Sequence, residues 1–166
     1  MGYASECVLT CDIEALTDQP VSGTVCVQAK AGGGIIFSAK LDGLLTNTEG
    51  GFHIHSGNAC ASKATQGGHY WKNEPWPTAT TTPWCPISVD PWVPGAPFYS
   101  KWESEFDGTA EPVVDLGVGI TTDGLFNVGD DNGDCGVKGH AVIVHKGGTG
   151  TGLDAPGTRV GCCVLA

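Results

Sequence analysis

Glycine and proline constrain this chain more than any other feature, because 26 Gly and 10 Pro are spread through its 166 residues. In a helix interior glycine costs about 1 kcal/mol and proline about 3 kcal/mol relative to alanine, so long helices are disfavoured throughout. The glycines follow no triplet period, which excludes a collagen-like chain, and a loop-rich β protein is the natural expectation. Eighteen acidic side chains against eight basic ones give a formal charge of −10. That balance argues against nucleic acid as a partner, since duplex binding needs a basic face. No run of about 18 apolar residues occurs, so no membrane-spanning helix is expected.

The eight cysteines, at 7, 11, 26, 60, 85, 135, 162 and 163, contain no C-x-x-C pair. An even set without a zinc-knuckle or redox spacing predicts disulfides and an oxidising compartment, hence a secreted or cell-surface protein. The N-terminus MGYASECVLT lacks the basic and apolar regions of a signal peptide. The expectation is a mature form, or one domain of a longer secreted protein with neighbouring domains as partners.

Residues 5 to 57 alternate apolar and polar positions in short runs broken by turn residues such as Gly32-Gly33-Gly34, the pattern of a meander or Greek key. Between Trp71 and Phe98 lie four of the five tryptophans and seven of the ten prolines. Such a segment cannot donate a regular ladder of N–H groups, yet carries much apolar area, and is expected to pack on the barrel as a cover. KWESE, a turn at Phe106-Asp107-Gly108 and AEPVVDLGVGITT predict a hairpin. GDDNGDCG offers Asp130, Asp131, Asn132 and Asp134, but lacks the spacing and the closing glutamate of a calcium loop. KGHAVIVHKGG and GTRVGCCVLA predict two final strands joined by a glycine-rich loop.

Five histidines carry the chemistry that the sequence suggests. His53 and His55 are two apart on a predicted strand, so both imidazoles leave the same face and can hold one ion. His69 follows Gly67-Gly68, and His145 ends the apolar run AVIVH where a buried strand meets a loop. His140 lies five positions before His145, an odd separation that sends the two rings to opposite faces, and a structural role is expected for it.

These stretches resemble the copper/zinc superoxide dismutases, and more closely their copper-only branch. The resemblance rests on GGFHIHSGNAC at 50–60, GGHYW at 67–71, GHAVIVHKGG at 139–148 and GTRVGCC at 157–163. It implies an all-β fold, an eight-stranded antiparallel Greek-key barrel or immunoglobulin-like sandwich, in one domain over residues 1–166, with the Trp/Pro-rich loop 72–98 in place of the zinc loop. It further implies His53, His55, His69 and His145 as ligands of one copper ion, with His69 at the position that bridges to zinc in the two-metal enzymes. Zinc is not expected, because that second site needs two more histidines and an aspartate, and only His140 stands between His69 and His145. Without zinc, a carboxylate is expected to orient His69, with Glu74, Asp90, Glu103 and Asp115 as candidates.

The family likeness also implies a Cys60–Cys162 disulfide beside Arg159, the sole arginine. First and last strands are neighbours in that barrel, so Cys163 is expected to pair with Cys7 or Cys11, leaving Cys26, Cys85 and Cys135 unassigned. Arg159 is then a cation that docks superoxide, the small-molecule substrate; Lys63 and Lys146 are candidate secondary charges, though surface solubility is the expected role of each. The activity implied is superoxide dismutation, in which His69 moves a proton. Two rival expectations are a copper-binding module without turnover and an interaction domain of a repeat protein.

Overall fold

The computed structural model describes residues 6–71, 92, 100–117, 126–131, 135–152 and 156–166. Ten strands and one short helix occur among them: β1 (Leu9–Ala15), β2 (Ser22–Ala29), β3 (Gly34–Asp42), β4 (Glu49–Ile54), α1 (Lys63–Gln66), β5 (Lys101–Glu103), β6 (Val113–Gly117), β7 (Asn127–Asp130), β8 (Gly136–Lys138), β9 (Ala141–His145) and β10 (Arg159–Val164). Eight of the strands form one antiparallel sheet in the order β5-β4-β9-β10-β1-β2-β3-β6. β1, β2 and β3 are a meander, as the alternating N-terminal pattern predicts. The chain then crosses to the far side of the sheet, where β4 pairs with β9, which is the Greek-key step.

The sheet curls into a half-barrel. β3 and β4 are remote in strand order, yet Phe37 and Phe52 stack with ring centroids 4.1 Å apart inside the curl. Around them β3 turns Ile35, Phe37, Ala39 and Leu41 inward while the intervening residues face outward, the period of two that a half-buried strand requires. β9 behaves differently, since all five residues of AVIVH are buried. Val142 and Val144 enter the barrel core, and Ala141 and Ile143 form a second apolar cluster with Cys162 against Leu16 and Cys60. An unbroken apolar run is therefore the mark of a strand covered on both faces.

One expectation needs correction. The turn at 106–108 is present, with Gly108 N–H donating to Glu105 O and Glu105 N–H to Thr109 O. The strands flanking it do not form a hairpin: β5 pairs with β4 and β6 with β3, because each finds a longer partner already in the sheet. The acidic stretch around Asp130 contributes to a separate parallel pair, β7 with β8, beyond the eight expected strands. Of the Trp/Pro-rich segment 72–98, only Trp92 is described; it is fully buried, stands edge-on to Phe37, and donates its indole N–H to Tyr70 O at 3.1 Å. The remainder of that cover lies outside the described residues.

Disulfides Cys7–Cys26, Cys11–Cys163 and Cys60–Cys162 are formed. The second follows from the antiparallel pairing of β1 with β10, which sets the first and last strands side by side. Cys135 is also disulfide-bonded, and Cys85 lies outside the described residues. Bonds of this kind are compatible with an extracellular protein. No described helix is long and apolar enough to cross a membrane.

Candidate metal centre

The pleat of β4 decides which side of the barrel carries the chemistry. Phe52 and Ile54 point into the core, so His53 and His55 stand on the outer face. β9 is paired in register with His53 opposite Ile143, and it places His145 on that same outer face while Val142 and Val144 go inward. His69 comes from the loop: an isolated bridge sets it across from His55, fixed by Ser56 N–H to Gly68 O at 2.8 Å and Tyr70 N–H to Ile54 O at 3.0 Å.

One potential ligand atom from each of His53, His55, His69 and His145 lies within 4.8 Å of the others. Ring centroids are 4.6 Å apart for His53 and His69, 5.0 Å for His53 and His145, and 5.4 Å for His55 and His69. Two of the rings are oriented by main-chain carbonyls. His55 Nδ1–H donates to Gly67 O at 2.8 Å and His145 Nδ1–H to Gly157 O at 2.9 Å. That tautomer leaves the Nε2 lone pair of each as an acceptor, and both Nε2 atoms are buried without a hydrogen-bond partner. Buried imidazole nitrogens facing one another across such distances suit a metal ion, and the four sites form a cluster that could hold one.

Electrostatics favour the same use. Burial holds His53 and His55 well below the ordinary histidine pKa, and it brings His145 down to about 4. Mutual repulsion adds to the effect: His145 and His69 act on His53, and Arg159 and His145 act on His55. These three rings are consequently neutral near pH 7, the state that ligates metal.

Arg159 opens β10 directly across from His145. Its Nη2 donates to Gly67 O at 2.7 Å, the carbonyl that also accepts from His55. Nη1 donates to Gln66 Oε1 at 3.0 Å and to Lys63 O at 3.3 Å. Partial burial lowers the guanidinium pKa. Arg159, Lys63, His55, His69 and His145 line a pocket of about 300 Å³ that opens to solvent beside the four rings. Lys63 lines the pocket, where surface solubility was the expected role, and Lys146 follows His145 and donates its backbone N–H to Thr158 O.

His140 is structural. Its Nδ1 lies 3.0 Å from His55 O and its Nε2 3.1 Å from Asp131 Oδ2, and its ring stacks on Tyr70 at 3.8 Å. Asp131 is thereby committed to a histidine. Of the carboxylates considered as partners for His69, Glu103 is ion-paired with Lys101 and Asp115 with Lys30, both on other parts of the sheet. Glu74 and Asp90 lie outside the described residues. Sequence reading missed Gln66 and the carbonyls of Gly67 and Gly157, because a glutamine in a short polar run and a backbone oxygen carry no motif. No protein-family model matches the chain, and no curated protein matches it either.

Proposed function

We propose that this protein is a copper-dependent superoxide dismutase of the copper-only type, acting outside the cell at a mononuclear site without zinc. The observation that carries the reading is the convergence of four imidazoles from β4, β9 and the loop at 69, with a single arginine on the rim of the same pocket. Neutral nitrogen donors suit copper in both oxidation states, whereas thiolate and carboxylate ligands are not part of this donor set. Copper bound there supplies one-electron cycling, so that one superoxide gives up its electron as dioxygen and a second accepts it, with two protons, as hydrogen peroxide.

The chain's own residues do the remaining work. Main-chain carbonyls at Gly67 and Gly157 hold His55 and His145 in the ligating tautomer. Arg159 has its Nη1 donors and one Nη2 donor engaged, and its Nε–H and second Nη2–H are left to hold an anion by charge and by a planar fork. His69 lines the pocket and is only partly buried, so it can exchange a proton with solvent and deliver it to the anion. The disulfide Cys60–Cys162 ties the loop that carries Gly67 and His69 to the strand that carries Arg159.

The test is metal analysis paired with dismutation assays. One copper and no zinc per chain, with copper lost in His53→Ala and His145→Ala, is the expected result. Copper-loaded Arg159→Ala should keep its metal and lose about tenfold or more in dismutation rate. A protein that binds copper but shows no rate above free buffer would instead be a copper-binding module.

A further inference from the structure

Gln66 is 3% exposed, an unusual burial for a glutamine, and both ends of its carboxamide are used. Nε2 donates to Cys60 O at 3.0 Å. That bond decides which way the amide faces, because the flipped form would set an NH2 against a carbonyl-free donor group, the guanidinium. Oε1 must therefore face Arg159, and it accepts from Nη1 at 3.0 Å. The backbone of Gln66 is held as firmly. Its carbonyl accepts from Gly57 N–H at 3.0 Å, and Gly57 O accepts from Ala141 N–H at 2.8 Å, at the start of β9. A Cβ on residue 57 would stand 2.0 Å from Thr65 O and 2.4 Å from the carbonyl carbon of Gln66, so glycine is needed for this close approach. The backbone of Gln66 is thus tied through Gly57 to the start of the strand that carries His145, and its side-chain amide is held by the carbonyl of Cys60, one half of the Cys60–Cys162 bridge.

Arginine carries about 2 kcal/mol of rotamer entropy, and a half-buried guanidinium at a strand end can turn away from a pocket unless it is held. The carbonyls of Gly67 and Lys63 also accept from the guanidinium, but the Gln66 amide is the one side-chain acceptor on it among the described residues, held in place at its other end by Cys60 O. We infer that Gln66 is a positioning residue that aims the free donors of Arg159 into the metal pocket and so sets its affinity for a small monovalent anion. The inference rests on the proposed reading of that pocket as a copper site that admits an anion.

The experiment is a double-mutant cycle read by azide binding to the Cu(II)-loaded protein, followed by its charge-transfer absorption. Gln66→Met should weaken azide by about tenfold, the scale of one hydrogen bond to a charged group, with copper content unchanged. In an Arg159→Ala background the same substitution should have no further effect. An unchanged azide affinity in Gln66→Met, or an equal loss with and without the arginine, overturns the inference. Arg159 is the sole arginine, so its guanidinium signals in the metal-free protein need no assignment. Nitrogen-15 spectra should show resolved, slowly exchanging Nη–H signals in the wild type and in Gln66→Glu, which keeps the acceptor, and averaged signals in Gln66→Met. Averaged signals in the wild type overturn the inference whether or not Gln66→Met folds. A wild type that binds copper and azide but does not dismute superoxide defeats the proposed function, and the cycle still decides the role of Gln66.

Discussion

A Cβ built on Gly51 would stand 2.5 Å from Cε1 and 2.8 Å from Nε2 of His53, and 3.1 Å from Cδ2 of His145. Two rings of the histidine cluster therefore occupy the space that any other residue would claim, and the backbone of β4 forms the floor beneath them. Gly51→Ala should displace His53 and weaken copper by about 10- to 100-fold, the range for residues that orient a metal ligand; competition with a chelator of known affinity measures it. Protonation acts on the same rings. In the metal-free protein the folded-state pKa of His53, His55 and His145 is depressed relative to about 6.5 in the unfolded chain. Below that value the unfolded state binds more protons, so stability present above pH 6.5 is lost as the pH falls toward 4. With its pKa at about 4, His145 alone accounts for roughly 3 kcal/mol of that loss. Thermal melting of the metal-free chain from pH 7.5 to 4 should show Tm falling throughout this window, and a flat profile would contradict the burial of these rings.

At the level of elements, β9 and β10 carry the most consequence. Their antiparallel pairing sets Arg159 against His145, with a register shift between Arg159 and Gly161, and Arg159 lines the pocket. The Cys60–Cys162 bridge, spanning 102 positions, fastens the loop 56–69 over the outer face of these strands. Closing so long a loop is worth about 4 to 5 kcal/mol in the chain-entropy model. Cys60→Ser with Cys162→Ser should lower unfolding stability by an amount of that order in urea titration. It should also reduce azide affinity in the copper-loaded protein, because Cys60 O anchors Gln66 and Gln66 anchors Arg159. A stability loss with unchanged azide affinity would show that the bridge acts on the fold alone.

Over the whole molecule a formal charge of −10 surrounds a pocket that carries Arg159 and Lys63. If the proposed function holds, long-range repulsion of superoxide and its short-range attraction by the arginine oppose each other. The Debye length falls from about 30 Å at 0.01 M to about 8 Å at physiological ionic strength, so added salt removes the distant carboxylates before it weakens the local cation. The dismutation rate should rise with salt over that range, as pulse radiolysis would show. A rate that falls from the lowest salt onward would mean that the positive rim governs approach at every distance.

How far the sequence reached follows from which interactions are periodic. Alternation in residues 9–42 and the doubly apolar AVIVH run were enough to indicate strands with defined inner and outer faces, because side-chain direction repeats every two residues. The i, i+2 spacing of His53 and His55 placed both on one face for the same reason, and the odd separation of His140 from His145 kept it out of the cluster. Pairing was not legible in this way. The 106–108 turn reads as a hairpin locally, but β5 and β6 join different edges of the sheet, since strand pairing is decided by partners far along the chain. Alternation thus fixed which way side chains face, a property of the local backbone. Only the curled sheet determined that His69 meets His55, that Asp131 is spent on His140, and that Gln66 stands between a disulfide and the sole arginine, because each depends on contacts between segments that no local rule connects.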